Sequence, residues 1–335
     1  MPKLYMETFL RVNKKLLFIY LSIIMFFVVF LFSLICGSSG IYDIFKNIDA
    51  NMVFIILQVR LPRTIMACIT GAALAVSGCV FQAILKNPLA DPFTLGISSG
   101  AALGVVIAFV FGFASLTSFF IPVFAFLGAM ISVLIVYIIS IYKKFNSNSM
   151  ILSGVVVSYI FSSLIMLMFA LSPSKNIQAS FVWLVGNFNM FNEKVLSFAV
   201  IVVLVGIVFL SLSGNIINVM SLGIEKAKTI GVDVERNVKF LFILASFITS
   251  VTVSVGGVIG FVGLMVPHIM RKILGANNII LVPMSGLFGA IFLLFCDILS
   301  RVLFNSILIP VGVLTNIIGG VFFSILLFKS RENAL

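Results

Sequence analysis

The residues best suited to chemistry in this chain are a few cations placed at the ends of apolar runs. Arg60-Leu61-Pro62-Arg63 opens one such run, and Arg301 closes another, four residues after Asp297. A guanidinium offers a planar fork of donors that fits a carboxylate two atoms to two. Arginines at span ends therefore read either as interfacial anchors or as outward-facing receptors for the carboxylates of a partner. Asp297 and Arg301, at i and i+4, are also spaced to pair on one helix face.

The residue patterns of catalysis are missing. The sequence contains no GxxxxGK[ST], hence no P-loop for nucleotide, and no HExxH or CxxC. The single histidine, His268, follows Pro267 and has no second histidine with which to share a metal. Its expected role is packing or hydrogen bonding. Cys36, Cys68, Cys79 and Cys296 lie in or beside apolar runs and read as small packing residues. No catalytic, cofactor or metal site is expected, and the chain is not expected to be an enzyme.

The elements that must position these residues follow from composition. The chain has 335 residues, of which 62% are apolar and only 9% charged. A soluble domain carries roughly 25% charged residues, so the solvent of this chain must be largely lipid. A net charge of +11 would point to nucleic acid in a soluble protein. Here the cations fall between apolar runs, so they report topology, and no nucleic-acid partner is expected.

A membrane span needs about 20 mostly apolar residues. That rule places spans near 16–36, 64–85, 95–113, 119–142, 150–171, 195–213, 238–257, 279–297 and 307–328. The segment 258–273 is apolar but short, and Pro267 is expected to break it. Lys3, Arg11, Lys14 and Lys15 ahead of the first span resemble a signal peptide. The apolar stretch is longer than a usual signal core and lacks an A-x-A site, so it reads as a retained span. Counting 258–273 as a tenth crossing puts 15 of the 21 lysines and arginines on one side and 6 on the other. That asymmetry is what the positive-inside rule requires, with both termini cytoplasmic. The fold expected is a single all-α membrane domain over 1–335 with about ten transmembrane helices.

Three further features stand out. Residues 213–239 form the longest polar segment on the cation-rich side and read as one or two short surface helices. Residues 73–96 and 252–275 echo each other, each passing from small residues through a glycine to a proline and a final glycine. An inverted-topology repeat, common in transporters, is the candidate relation between them. Small residues crowd Gly71–Ala83, Gly96–Gly104 and Gly256–Gly263, where helices in lipid would pack closely.

At these residues the chain resembles a known family. RLPRTIMACITGAALAVSGCVFQAILKNPLADPFTLGISSGAALG (60–104) and VGGVIGFVGLMVPHIMRKILG (255–275) look like the signature blocks of the FecCD-type permeases, with DILSR (297–301) and IPVGVLTNIIGGVFF (309–323) agreeing in order and spacing. These are membrane subunits of ABC importers for ferric siderophores, haem and cobalamin, the cobalamin importer permease among them. The resemblance implies a second permease subunit, identical or related, and two cytoplasmic ATPase subunits. It also implies an extracytoplasmic binding protein. It gives Arg60, Arg63 and Arg301 a docking role toward that binding protein. It makes 213–239 the ATPase-coupling loop, with Leu222, Gly223, Ala227, Gly231 and Val234 at matching positions. It makes Asn146, Ser147, Asn148 and Ser149 an inner gate. The implied function is a permease in the cytoplasmic membrane of a bacterium or archaeon, with a ferric siderophore as first-choice cargo and haem or cobalamin as alternatives. An ion-coupled secondary transporter would need carboxylates at mid-membrane depth, and Asp91 and Asp297 both fall near span ends.

Overall fold

The computed structural model describes residues 2–37, 50–115, 117–143, 145–172, 174–186, 188, 192–303 and 309–332. Lys46, Lys144 and the start of the last expected span at 307–308 lie outside them. Among the described residues every regular element is helical. Helix α1 covers Pro2–Ile35, and α2, Ala50–Ile55, passes through a π turn, Ile56–Arg60, into α3, Leu61–Ile84. Then come α4 (Ile97–Val110), α5 (Phe120–Tyr142), α6 (Ser147–Ala170), α7 (Ser174–Leu184) and α8 (Glu193–Leu212). The short α9 (Gly214–Ser221) and α10 (Ile224–Thr229) precede α11 (Val234–Gly256), α12 (Val262–Leu274), α13 (Asn278–Val302) and α14 (Val311–Glu332).

Local chemistry sets several of these boundaries. Asn146, Asn192, Asp233 and Asn277 each accept a hydrogen bond from a backbone N–H in the first turn of α6, α8, α11 and α13, satisfying donors that a helix start otherwise orphans. Pro62 has no N–H and would crowd the carbonyl four residues back. The chain meets it by widening into a π turn just before, where the Leu61 N–H bonds to the Ile56 carbonyl.

Seven helical segments are long and apolar enough to cross a membrane, among them Met52–Ile84, Val234–Gly256 and Asn278–Val302. The shorter α4, α12 and α14 bring the bundle to about ten. The helices alternate between two ends. One end gathers Arg60, Arg63 and Arg301 and is called here the arginine end; the other carries Lys86, Lys143 and Lys228, the lysine end. Helix α3 is the central post, packed against α13, α11, α12 and α8. Helices α4, α5 and α6 pack on one another and join the post through α11.

Glycines make the central contacts. A Cβ added at Gly71 would overlap the carbonyl of Gly289, and one at Gly289 would overlap that of Gly71, so α3 and α13 meet backbone to backbone. Gly100 and Gly128 do the same for α4 and α5. In lipid, where apolar side chains gain nothing by leaving solvent, this close approach supplies the van der Waals contact that holds helices together. The two echoing segments are themselves in contact, Gly78 of α3 lying against Gly263 of α12, with both helices running toward the lysine end.

The expected break at Pro267 lies elsewhere. Pro267 sits inside a continuous helix, α12, and the helical run is instead interrupted over 257–261. Gly257 has φ 75° and Phe261 φ 66°. Replacing Gly289 by Ala is expected to force α3 and α13 apart and cost about 1–3 kcal/mol. Gly320→Ala on α14, where a Cβ meets open space, should stay within about 0.5 kcal/mol. Thermal melting of the purified chains in detergent checks the contrast.

Candidate functional site

At the arginine end, three helices converge on one carboxylate. Asp297 on α13 is fully buried. Its Oδ1 accepts from Arg63 Nε of α3 at 2.8 Å, and its Oδ2 lies 2.7 Å from Arg301 Nη2. Arg63 also donates to Ser300 Oγ at 3.1 Å. Arg301 turns toward α1, donating to the carbonyls of Ser33 and Cys36 at 3.0 and 2.9 Å and to Ser33 Oγ at 2.7 Å. Ser33 Oγ is in turn 3.0 Å from Thr64 Oγ1 on α3. Arg60 donates to the carbonyls of Leu34 and Ile35, two of the acceptors left open at the end of α1.

This geometry corrects the expectation of outward-facing guanidinium groups. Arg60, Arg63 and Arg301 are at most 8% exposed and turn inward. The physical reason is Asp297, whose charge cannot be buried without partners, together with the free carbonyls at the end of α1.

A second construction surrounds the break between α11 and α12. The missing N–H of Pro267 leaves the carbonyl of Gly263, four residues earlier, without its helical donor. Gln82 of α3 supplies one: its Nε2 donates to the carbonyls of Gly263 and Leu264 at 3.2 and 3.3 Å. Arg271 holds the other end of the amide, donating to Gln82 Oε1 at 3.1 Å. The start of α12 is thus inside the bundle, with Gly260 against Asn316 and Gly319 against Phe261. Short half-helices of this kind, with irregular backbone facing protein rather than lipid, are found in transporters. His268 packs beside the adjacent rings of Phe322 and Phe323, both centroids 6.3 Å away.

The lysine end carries the loops. Helices α9 and α10 occupy most of 213–239, linked through Gly223 with φ 109°. Ala227 is buried, Leu222 is exposed, and Gly231 takes φ 89° at the exit of α10. Val234 opens α11. Asn218 of α9 accepts from the backbone and side-chain N–H groups of Asn278 at 2.8 and 2.9 Å and donates to Asn277 Oδ1 at 2.8 Å. The loop is therefore tied to the first residues of α13, whose far end carries Asp297. Across from it, Asn146 caps α6 by accepting from the N–H groups of Asn148 and Ser149 at 3.1 and 3.3 Å, and Ser147 begins the helix.

The connection between α3 and α4 is also fixed. Asp91 Oδ1 accepts from the Thr94 N–H at 2.8 Å, and Thr94 Oγ1 donates to the Asp91 carbonyl at 2.8 Å. Burial raises the Asp91 carboxyl to about 6, against the lowering effect of the Thr94 hydrogen bonds. The loop is wedged between helices, since Ser132 of α5 donates to the Gly96 carbonyl at 2.7 Å and Gly154 of α6 abuts the Thr94 carbonyl. Among the described residues no group of three His, Cys, Asp or Glu is placed to hold a metal ion.

Sequence reasoning located the arginines and the loop but missed Gln82 and the Asn218 tether. The signal for Gln82 was a lone amide deep in an apolar run, on the helix that echoes the proline segment.

A multi-pass helical bundle with a half-helix in its interior is an architecture found in membrane transporters. The chain belongs to the FecCD transport family, whose model matches residues 20–329, and is an ABC importer permease of that family. It is 34% identical to the hemin transport system permease protein HmuU of Yersinia pestis over 82% of this chain and 84% of that protein. It is 36% identical to the molybdate import system permease protein MolB of Haemophilus influenzae over 86% of this chain and 85% of that one. An inward-facing structure of a metal-chelate type ABC transporter superposes with a TM-score of 0.84 and 31% identity, covering 92% of this chain and 98% of that chain.

Gln82→Leu is expected to leave the Gly263 carbonyl unpaired and to cost about 1–3 kcal/mol. Adding Pro267→Ala should restore part of that loss, because an alanine at that position brings back the backbone N–H that can donate to the Gly263 carbonyl. Melting midpoints of the single and double variants measure the recovery.

Proposed function

We propose that the chain is half of the translocation pathway of an ATP-driven importer for ferric siderophores. On this reading it pairs with a second, identical or related permease subunit in the cytoplasmic membrane of a bacterium or archaeon, with both termini cytoplasmic. Two ATPase subunits dock at the lysine end and a binding protein delivers cargo at the arginine end. The charge asymmetry supports this orientation, since cations cluster on the cytoplasmic side of membrane proteins. The apolar faces that α6 and α14 leave exposed, including Leu152, Tyr159, Ile317 and Val321, are available to the second subunit and to the pathway.

The single observation that carries the reading is the α9–α10 loop. It holds exposed apolar side chains at the lysine end, Leu222 and Ile230 among them, and Asn218 ties it to the helix that bears Asp297. A motor pressing on Leu222, Gly223, Ala227, Gly231 and Val234 would act on α13 along its length. Asn146, Ser147, Asn148 and Ser149 would form the inner gate, turning at the cap of α6. Arg60, Arg63 and Arg301 enter the proposal as the buried base of the docking surface. The carboxylates of a binding protein would compete there with Asp297. Alternating access then follows from a motor that binds two states with different affinity.

The hemin permease and the metal-chelate transporter among the similar proteins support an iron chelate. Haem or cobalamin is the alternative cargo on the same machinery. The test is uptake of labelled ferric siderophore by proteoliposomes holding the full complex. Uptake should require ATP and fall about tenfold or more in Leu222→Asp, equivalent to about 1.4 kcal/mol or more of lost coupling. Uptake driven by a proton gradient without ATPase subunits would refute the proposal, and preference for haem or cobalamin would correct the cargo.

A further inference from the structure

A cavity of about 780 Å³ opens at the lysine end between the gate and coupling segments. Its wall is basic: Lys86 follows α3, Lys143 follows α5 and Lys228 belongs to α10, all exposed. None of the three makes a salt bridge among the described residues. Two carboxylates also face the cavity, and both are engaged. Asp233 accepts from the Arg236 N–H at 3.1 Å, and Glu235 pairs with Lys239 at 2.6 Å. The remainder of the lining is polar at Asn146 and Ser147 and apolar at Ala83, Ile84, Phe145, Met220, Val234 and Val238.

The backbone supports a built feature rather than a chance gap. Of the three described non-glycine residues with positive φ, two line this cavity, Lys86 at 48° and Phe145 at 52°. Such conformations are disfavoured for residues with side chains and persist where surrounding structure imposes them, often at ligand sites. Here they turn the chain sharply after α3 and before α6, which sets Lys86 and Lys143 on the same rim.

We propose that this cavity binds the headgroup of an anionic phospholipid. The shared chemistry is a phosphate anion held by three ammonium groups. The apolar lining at the adjoining ends of α3 and α11 selects a phosphate that carries acyl chains over a soluble one. Basic pockets between helices at a membrane surface hold anionic headgroups by this combination of charge and adjacent apolar wall. The cavity shares Asn146, Ser147 and Val234 with the proposed gate and motor contact, so the test uses the permease chain without ATPase subunits.

The experiment uses the full chain, stripped of lipid in detergent and placed in nanodiscs of phosphatidylglycerol or phosphatidylcholine, with retained lipid counted by native mass spectrometry. Phosphatidylglycerol should be retained over phosphatidylcholine, and the triple variant Lys86→Gln, Lys143→Gln, Lys228→Gln should weaken retention by about tenfold or more. The matching triple to Arg keeps the charge and should retain the lipid, which separates loss of charge from loss of fold. Unchanged retention in the Gln triple, or equal retention of phosphatidylcholine, overturns the proposal. Displacement of the lipid by inorganic phosphate reassigns the cavity to a soluble phosphate anion and also overturns it. Normal lipid retention with failed assembly of the ATPase subunits would make the lysines a subunit contact instead.

Discussion

One buried carboxylate organises the arginine end. Asp297 has no access to water, and an isolated charge in that position would cost several kcal/mol. Arg63 and Arg301 cancel that cost from two different helices, and Arg301 extends the network onto the last carbonyls of α1. Helices α1, α3 and α13 are thereby fixed in register by polar groups whose geometry tolerates little slippage. Apolar contact alone would not do this in lipid, where one greasy face is as good as another. The Gly71–Gly289 seam along α3 and α13 follows from that register, because the two glycines must arrive opposite each other.

Backbone groups left open at the half-helix and at the start of α13 are served by side chains from other helices. A half-helix buried in protein creates orphan backbone groups that only other protein atoms can serve. Gln82 serves the carbonyl that Pro267 frees, and Arg271 orients the amide that does so. Asn218 serves the first N–H of α13 in the same way. The α9–α10 loop and the arginine network therefore sit at opposite ends of one continuous helix.

Much of this architecture is legible in the sequence, for physical reasons. Apolar run length gave the spans, because the bilayer fixes the length of a crossing. The distribution of lysine and arginine gave the alternation, and the Ser213–Lys239 segment announced itself by polarity. The failures share a cause. Pro267 suggested a break because its own N–H is missing, but the remedy is a side chain on another helix, Gln82, 185 residues earlier in the sequence. The arginines looked outward because span ends face water, and only the fold brings Arg63 to Asp297 across 234 positions. Helix α7, Ser174–Leu184, is too short and too mixed in character to register as a span. Local pattern reports which face of a helix is apolar; it does not report which polar groups will meet.

The claim that the Asp297 network fixes α1, α3 and α13 is tested most directly by a double-mutant cycle. Arg63→Met and Asp297→Leu are made singly and together, and unfolding free energies are measured in detergent. Each single change should cost about 3–5 kcal/mol, because it removes a member of a buried ionic network. The double variant should lose less than the sum of the two, with a coupling energy of roughly 1–3 kcal/mol. Losses that simply add, with no coupling between the two positions, would contradict the account.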